Sequence, residues 1–208
     1  MLNRFLAAQF ARPHGAAGQW LLGPLLDGIG RPMMADTFAA LAARPGERAL
    51  DLGFGGGMLV RRLLAAGVRV TGVDRSGAMV ARARRRHLAD IRAGRALFLE
   101  GDARALPLGK AAVDRAASVN TLYFWPDLAP VLAELHRVLV PGGRLVLAFQ
   151  TPDQVRAWPG HVHGFVAHAV GEVAQALAEA GFAPEPPRLA HAASVGDYAL
   201  LAALRGGA

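Results

Sequence analysis

After residue 46 the chain alternates short runs typical of β-strands with longer runs whose apolar residues recur at helical spacing. Strand patterns cover residues 48–53, 68–74, 95–102, 114–120 and 143–150, and helix patterns cover 57–67, 76–91, 126–140 and 171–182. This alternation is typical of a parallel sheet with crossover helices. Two further runs, 187–195 and 197–204, are joined by a Gly-Asp pair that favours a hairpin. The pattern predicts an α/β domain with an antiparallel strand at one edge.

The composition limits the class of protein. At 208 residues the chain suits one domain, and no apolar run reaches the ~18–20 residues needed to cross a bilayer. Residues 1–15 are too short and interrupted for a signal peptide, so we expect a cytoplasmic protein. The absence of cysteine excludes disulfides, thiolate metal sites and a cysteine nucleophile. The net charge of +7 comes from arginine, since Lys110 is the only lysine, and we attribute it to GC-rich codon usage rather than to a nucleic-acid or membrane partner.

A glycine-rich turn, ALDLGFGGGM at residues 49–58, follows the first strand pattern and leads into a helix. Such a cluster indicates a special backbone geometry or the close approach of a ligand. In open α/β sheets, ligands bind at the carboxyl ends of the strands, where the first N–H groups of a helix favour an anion. The dinucleotide fingerprint needs glycine or alanine at its sixth position, but that position, counted from Gly53, is Met58. A nicotinamide dinucleotide is therefore disfavoured.

Several stretches together resemble the motifs of the class I S-adenosylmethionine-dependent methyltransferases. In chain order they read ALDLGFGGG, VTGVDRS, FLEGDARALPL, VDRAASVNTLYFW and ELHRVLVPGGRLVLAF. The resemblance covers about residues 46–204 and is closest to the small-molecule branch that includes the ubiquinone and menaquinone C-methyltransferases. The family would supply S-adenosyl-L-methionine as cofactor and release S-adenosyl-L-homocysteine as product.

This resemblance implies a Rossmann-like, seven-stranded sheet in the order 3-2-1-4-5-7-6, with the last strand antiparallel and helices on both faces. It also implies a single methyltransferase domain over residues 1–208. Within that domain we expect residues 1–46 to form an N-terminal helical cap and residues 47–205 to form the cofactor-binding core. The cap and the 152–170 segment are expected to roof the pocket.

The positions of the motifs also imply ten cofactor-binding residues. Asp74 takes the place of the acid that binds the ribose hydroxyls, and Asp102 with the Ala103 N–H takes the place of the adenine-binding pair. Asn120 ends the fourth strand and is a candidate contact for the methionine part. The full set is Asp51, Gly53, Phe54, Gly55, Gly57, Asp74, Arg75, Asp102, Ala103 and Asn120. For the acids, a role as turn or cap residues is the alternative interpretation.

Methyl transfer from a sulfonium is an in-line displacement that depends mainly on positioning, and a base is needed only where the acceptor loses a proton. Tyr123 and Trp125 follow the fourth strand and are candidates for the acceptor pocket, with core packing as the alternative. His163 and Tyr123 are weak candidates for a catalytic role. No carboxylate cluster accompanies the His-x-His spacing at residues 161–163, so we expect no metal.

The sequence therefore predicts a methyltransferase that acts on a small organic acceptor, with nucleic acid disfavoured and no membrane span. Whether oxygen, nitrogen or carbon is methylated stays open, as do the acceptor and the oligomeric state. Two alternatives stay open as well. One is an RNA methyltransferase, suggested by the charge of +7. The other is a non-catalytic S-adenosylmethionine-binding protein, suggested by the unusual Phe54 and by the lack of an evident base.

Overall fold

The computed structural model describes residues 30–158 and 164–207. Its helices are α1 (Arg31–Leu41), α2 (Met58–Ala65), α3 (Gly77–Arg86), α4 (Leu88–Arg92), α5 (Ala129–Val138), α6 (Pro152–Ala157) and α7 (Val170–Glu179), with a 3₁₀ turn at Leu122–Phe124. Its strands are β1 (Arg48–Leu52), β2 (Arg69–Asp74), β3 (Ala96–Glu100), β4 (Val113–Val119), β5 (Leu139–Gln150), β6 (Phe182–Pro184), β7 (Arg188–Ala192) and β8 (Gly196–Arg205).

The strands form one sheet in the order β3-β2-β1-β4-β5-β8, and both β6 and β7 pair with β8. Strands β1 to β5 run parallel, and β8 runs antiparallel to β5. This confirms the predicted order 3-2-1-4-5-7-6, with β8 as its seventh strand and β7 as its sixth. The prediction missed β6, whose three residues pair with Ala203–Arg205 on β8 and are too few to show a strand pattern.

The parallel pairing of β1 to β5 brings their carboxyl ends to one edge of the sheet. The turns that follow β1, β2, β3 and β4 therefore lie side by side at that edge. In sheets of this kind the crevice at the carboxyl ends of the strands is where ligands bind. The topology thus collects the predicted site residues, which are far apart in the sequence, into one region.

Two helices differ from their predicted bounds. The helix predicted at residues 76–91 is divided at His87, whose buried ring packs 5.5 Å from that of Phe98 on β3. The helix predicted at residues 126–140 ends at Val138, and β5 begins at once with Leu139. Strand β5 can begin this early because its pairing with β4 shifts register after its first residue, which accommodates the following Pro-Gly-Gly.

Buried side chains pack in two layers, one on each face of the sheet. Helices α1, α2 and α3 cover one layer, and helices α5 and α7 cover the other. Alternate residues of β5 supply opposite layers, since Leu145 and Leu147 pack with α5 and α7 while Val146 and Ala148 pack with α1 to α3. The layers confirm the prediction of helices on both faces, and the alternation follows from the two-residue period of a strand.

Helix α1 is joined to strands β5 and β8 by polar contacts as well as apolar ones. Tyr198 on β8 donates from Oη to Asp36 Oδ2 at 2.8 Å, and Arg144 on β5 donates from Nε to the carbonyl oxygen of Ala40 at 2.7 Å. This helix is the described part of the predicted N-terminal cap. Residues 1–29 lie outside the described residues, so the cap stays a prediction.

None of the helices within residues 30–158 and 164–207 is both long and apolar enough to span a membrane. The longest of them, α1, has 11 residues, whereas a transmembrane helix needs about 20.

Gly72 on β2 provides a direct test of this packing. A Cβ atom at this position would lie 2.8 Å from ring carbons of both Phe54 and Phe98, which is too close for either ring to stay in place. We expect Gly72→Ala to lower the free energy of unfolding in urea by about 1–3 kcal/mol.

The matched control is Gly109→Ala, where a Cβ would meet no atom within 4 Å. This variant should stay within about 0.5 kcal/mol of the wild type. Equal stability of the two variants would show that the two rings do not pack across Gly72.

Candidate functional site

The turn between β1 and α2 has three glycines with positive φ, which are Gly53 at 74°, Gly55 at 49° and Gly57 at 75°. At Gly53 a Cβ would overlap the methyl group of Thr121, so protein packing alone requires glycine there. At Gly55 the nearest atom to an added Cβ would be 4.0 Å away, and at Gly57 it would be 3.9 Å away. Among the described residues, no atom would clash with a Cβ added at the second or third glycine, so a ligand can approach the turn on this side.

Asp74, at the end of β2, connects two of the turns at this edge. Its Oδ2 accepts the Gly55 N–H at 3.0 Å, and its Oδ1 accepts the Ser76 N–H at 2.9 Å. The residue is only 8% exposed, and burial raises the pKa of its carboxyl although both hydrogen bonds oppose that rise. A buried carboxylate with lone pairs to spare is an acceptor suited to hydroxyl groups of a ligand.

Asp51 lies within β1, only 3% exposed, just before the glycine turn. Burial, followed by the nearby charge of Asp74, raises the pKa of its carboxyl to about 7, while a hydrogen bond from the Val60 N–H acts in the opposite direction. Two acids are thus held close together in a setting that favours a positive charge next to them. The arrangement suits a cationic group on a ligand.

Asn120 follows the last residue of β4 and adopts the left-handed backbone region, with φ at 55°. Its N–H donates to the Ala148 carbonyl oxygen at 2.9 Å, which extends the pairing of β4 with β5. Its side-chain Oδ1 is buried and accepts no hydrogen bond within residues 30–158 and 164–207. A buried acceptor without a donor is uncommon and calls for a partner, which a ligand with N–H groups can supply.

Asp102 lies farther out, after β3. Arg104 donates to it from its backbone N–H and from its guanidinium, with the closest contact 2.6 Å between Nη2 and Oδ2. These bonds hold the pKa of the Asp102 carboxyl at about 2. Ala103 packs partly against the core, and the exposed Arg75 lies near enough to lower that pKa further. Asp102 is therefore ionised, but it shares its oxygens with a neighbouring arginine.

Phe54 is part of the core. Its side chain is 2% exposed, and its ring meets that of Phe98 edge-on at 5.4 Å between centroids. Its carbonyl oxygen accepts the Gly57 N–H at 2.8 Å, so its backbone still shapes the turn. The buried side chain of Phe54 is not available to a ligand. A contact between the cofactor and the Phe54 backbone stays a prediction.

The aromatic candidates after β4 separate into two groups. Trp125 is 7% exposed and packs in the layer of α5 and α7, whereas Tyr123 is partly exposed and stacks on Phe165 with centroids 5.0 Å apart. Burial raises the pKa of the Tyr123 phenol well above its ordinary value, so this group stays protonated and can donate but not act as a base. The structure thus favours Tyr123 over Trp125 as a pocket residue.

The predicted base, His163, lies outside the described residues. His168 lies within them, and its Nε2 is 2.9 Å from the Trp125 carbonyl oxygen, so Nε2 carries the proton. No group of three or more histidine or acidic side chains suited to a metal occurs in the described part of the chain.

Sequence reasoning missed three residues of this region. Thr121 fills the space beside Gly53, Arg104 holds Asp102, and Phe165 stacks on Tyr123. Arg104 carried a signal that could have been used, because an arginine two residues after an acid often bonds back to it. The other two contacts join residues distant in the sequence and left no local signal.

Comparison with known proteins relates this chain to methyltransferases. Residues 50–147 match a protein family described as a methyltransferase domain. The demethylmenaquinone methyltransferase of Beutenbergia cavernae is 37% identical over an alignment of 153 residues that covers 67% of this chain and 60% of the relative. The malonyl-[acyl-carrier protein] O-methyltransferase of Pectobacterium atrosepticum is 41% identical over 114 residues, which are 54% of this chain and 42% of the relative.

Among solved structures, a methyltransferase from a complex with the Haloferax volcanii Trm112 activator has a TM-score of 0.74. It is 22% identical, and the match covers 88% of this chain and 96% of that one. At this identity the likeness shows the fold alone. The chain spans about half the length of the curated relatives it matches.

The raised pKa of Asp51 makes a prediction for the ligand-free protein. The folded state keeps the Asp51 proton up to about pH 7, whereas an unfolded chain loses it near pH 4. Stability from this group is therefore lost as pH rises through that interval. We expect Asp51→Asn, which stays neutral, to gain about 2–3 kcal/mol relative to the wild type between pH 5 and pH 8, measured by urea unfolding.

The control is Asp153→Asn, whose side chain is 95% exposed. Because this side chain is exposed, the variant should stay within about 0.5 kcal/mol of the wild type at each pH. A difference between Asp51→Asn and the wild type that is constant from pH 5 to pH 8 would contradict the buried, protonated state of Asp51.

Proposed function

The chain carries a class I S-adenosylmethionine-dependent methyltransferase domain, and from this premise we propose that it methylates a small organic acceptor and releases S-adenosylhomocysteine. The observation that carries the proposal is the edge where β1, β2 and β4 end. There the open side of the glycine turn lies beside two buried acids and the unpartnered oxygen of Asn120.

The residues at this edge fit the groups of S-adenosylmethionine. The N–H groups of Gly53, Gly55 and Gly57 are donated within the protein, so it is the first N–H groups of α2, directly after the glycine turn, that suit the cofactor's carboxylate. Asp51 and the Asn120 Oδ1 suit its ammonium, which has N–H groups to donate. Asp74 suits the ribose hydroxyls, and Asp102 with the Ala103 N–H suits the adenine edge, provided that Asp102 shares its oxygens with Arg104.

The bound cofactor supplies a methyl group on a sulfonium, which an acceptor attacks in line as the carbon–sulfur bond breaks. What the chain contributes is mainly orientation, worth on the order of 7–11 kcal/mol in favourable cases. Rigid strand ends hold Asp74 and Asn120, and the hydrogen bond to Gly55 fixes the glycine turn to β2. Tyr123 stays protonated, so it can position an acceptor by donating a hydrogen bond.

A small acceptor is supported by the relatives and by the distribution of charge. The curated relatives are named for demethylmenaquinone and for a malonyl group on a carrier protein. Several of the arginines that would suit RNA are instead paired with acids. Such pairs include Arg48–Asp114, Arg95–Asp90, Arg104–Asp102, Arg115–Glu47, Arg137–Glu134 and Arg144–Glu185. Pairing leaves the net charge of +7 unchanged, but it gives these six arginines acidic neighbours, so the charge by itself is weak support for an RNA acceptor.

Cofactor binding can be tested at Asp74. Asp74→Asn keeps the shape of the side chain but removes its charge, and charged hydrogen bonds contribute about 1.5–3 kcal/mol each. We therefore expect the dissociation constant for S-adenosylhomocysteine to rise at least about tenfold, measured by isothermal titration calorimetry. The thermal midpoint of the variant, measured in parallel, shows whether the turn still folds.

Asp153→Asn is the matched control, because it removes an exposed carboxylate on α6. It should bind as the wild type does. Unchanged binding by a folded Asp74→Asn would contradict the assignment of the ribose site. Formation of S-adenosylhomocysteine with any acceptor would reject the non-catalytic alternative, and RNA binding that weakens steeply with salt would favour the RNA alternative.

A further inference from the structure

Four aromatic side chains form a continuous cluster beside Asn120, which we call the aromatic cluster. Its members are Tyr123, Phe124, Trp158 and Phe165. The ring of Phe165 lies 5.0 Å from Tyr123, 5.0 Å from Phe124 and 4.8 Å from Trp158, measured between centroids. Tyr123 and Phe124 are 4.8 Å apart.

The aromatic cluster lies at the same edge of the sheet as the glycine turn. Tyr123 and Phe124 belong to the turn after β4, and Trp158 follows the short helix after β5. The Val166 N–H donates to the Tyr123 carbonyl oxygen at 2.9 Å, which holds the segment that carries Phe165 against that turn. The acids lie at the ends of β1, β2 and β3, so the aromatic cluster occupies the other half of the edge.

All four rings are partly exposed, unlike the neighbouring side chains Leu122 and Trp125, which are buried in the core. Rings that served only to fill the interior would be covered as those two are. A partly exposed patch of several aromatic rings beside a binding site is typical of a surface that receives a ligand.

Among the described residues, few charged side chains lie on this half of the edge. Residues 120–125 and 164–169 contain no acidic or basic side chain other than His168, whose Nε2 donates to a carbonyl oxygen. On α6 the only two charged residues, Asp153 and Arg156, pair with each other and are exposed. A carboxylate placed on the aromatic cluster would lose its hydration without gaining a cation from these segments, which is costly.

We infer that the methyl acceptor is a flat, uncharged and largely apolar molecule, and that it rests on the aromatic cluster with Phe165 as its main contact. This rests on the proposed function. Tyr123 provides a polar contact from within the aromatic cluster, because its hydroxyl is protonated and can donate a hydrogen bond. Aromatic faces bind flat rings by stacking, so shape is recognised together with polarity.

The experiment uses three probes, titrated into the protein saturated with S-adenosylhomocysteine. The probes are 2-naphthol, which is flat and uncharged, 2-naphthoate, which is flat and charged, and 2-decalol, which is uncharged but not flat. Calorimetry and quenching of tryptophan fluorescence report binding. We expect 2-naphthol to bind at least about tenfold more tightly than 2-naphthoate and about fivefold more tightly than 2-decalol.

Phe165→Leu isolates the role of the ring, because leucine keeps an apolar side chain but has no flat face. In this variant the preference for 2-naphthol over 2-decalol should fall to about twofold or less, while the affinity for S-adenosylhomocysteine stays unchanged. Leu189→Ala, on the exposed edge strand β7, is the control and should keep both preferences.

Tighter binding of 2-naphthoate than of 2-naphthol would overturn the inference, as would an unchanged preference in Phe165→Leu. Failure of all three probes to bind would overturn it too. These outcomes are separate from failure of the proposed function, which would appear as no binding of S-adenosylhomocysteine by the wild type. In that case the same titrations on the ligand-free protein still decide whether the aromatic cluster prefers flat, uncharged molecules.

Discussion

The carboxylate of Asp74 holds the functional edge of the sheet together. Its two oxygens accept N–H groups from the turn after β1 and from the turn after β2, so one side chain fixes the relative position of both. A buried carboxylate is stable only when it is hydrogen-bonded in this way. Gly55 also has a positive φ, so this bond joins the glycine turn to the end of β2 at one of its left-handed residues.

The site that results has two halves of different chemistry. Over β1 to β3, buried or ionised acids and an open glycine turn suit a ligand with cationic and hydroxyl groups. Over β4 and β5, aromatic rings without charge suit an apolar molecule. Asn120 lies where the halves meet, with a buried oxygen that accepts no hydrogen bond from the part of the chain that the structure describes. This division fits a reaction between a charged methyl donor and an uncharged acceptor.

The sequence predicted those parts of the structure that depend on local pattern. The strands and the glycine turn followed from periodicity and composition, whereas the strand order and the choice of Asp51, Asp74 and Asn120 followed from the resemblance of the motifs to the methyltransferase family. The side chain of Phe54 could not be placed, because its burial depends on the missing Cβ of Gly72 on the neighbouring strand.

Other features were hidden for similar reasons. The division of the predicted helix at residues 76–91 depends on the ring of His87 packing on β3. The burial of the Trp125 side chain depends on how α5 and α7 pack, and the exposure of the Tyr123 side chain depends on where Phe165 lies. Each of these is a contact between elements distant in the chain, and such contacts leave no mark on local periodicity.

The most direct test asks whether a ligand occupies the space beside Gly55. Among residues 30–158 and 164–207, an alanine Cβ there meets no atom closer than 4.0 Å, and one at Gly142, on β5 at the opposite edge of the sheet, meets none within 4 Å. Both residues have positive φ, so the two substitutions impose similar backbone strain. The measurement is the affinity of Gly55→Ala and Gly142→Ala for S-adenosylhomocysteine by calorimetry. We predict at least about a tenfold loss in Gly55→Ala and none in Gly142→Ala. Wild-type affinity in a folded Gly55→Ala would contradict the claim that the glycine turn makes room for the cofactor.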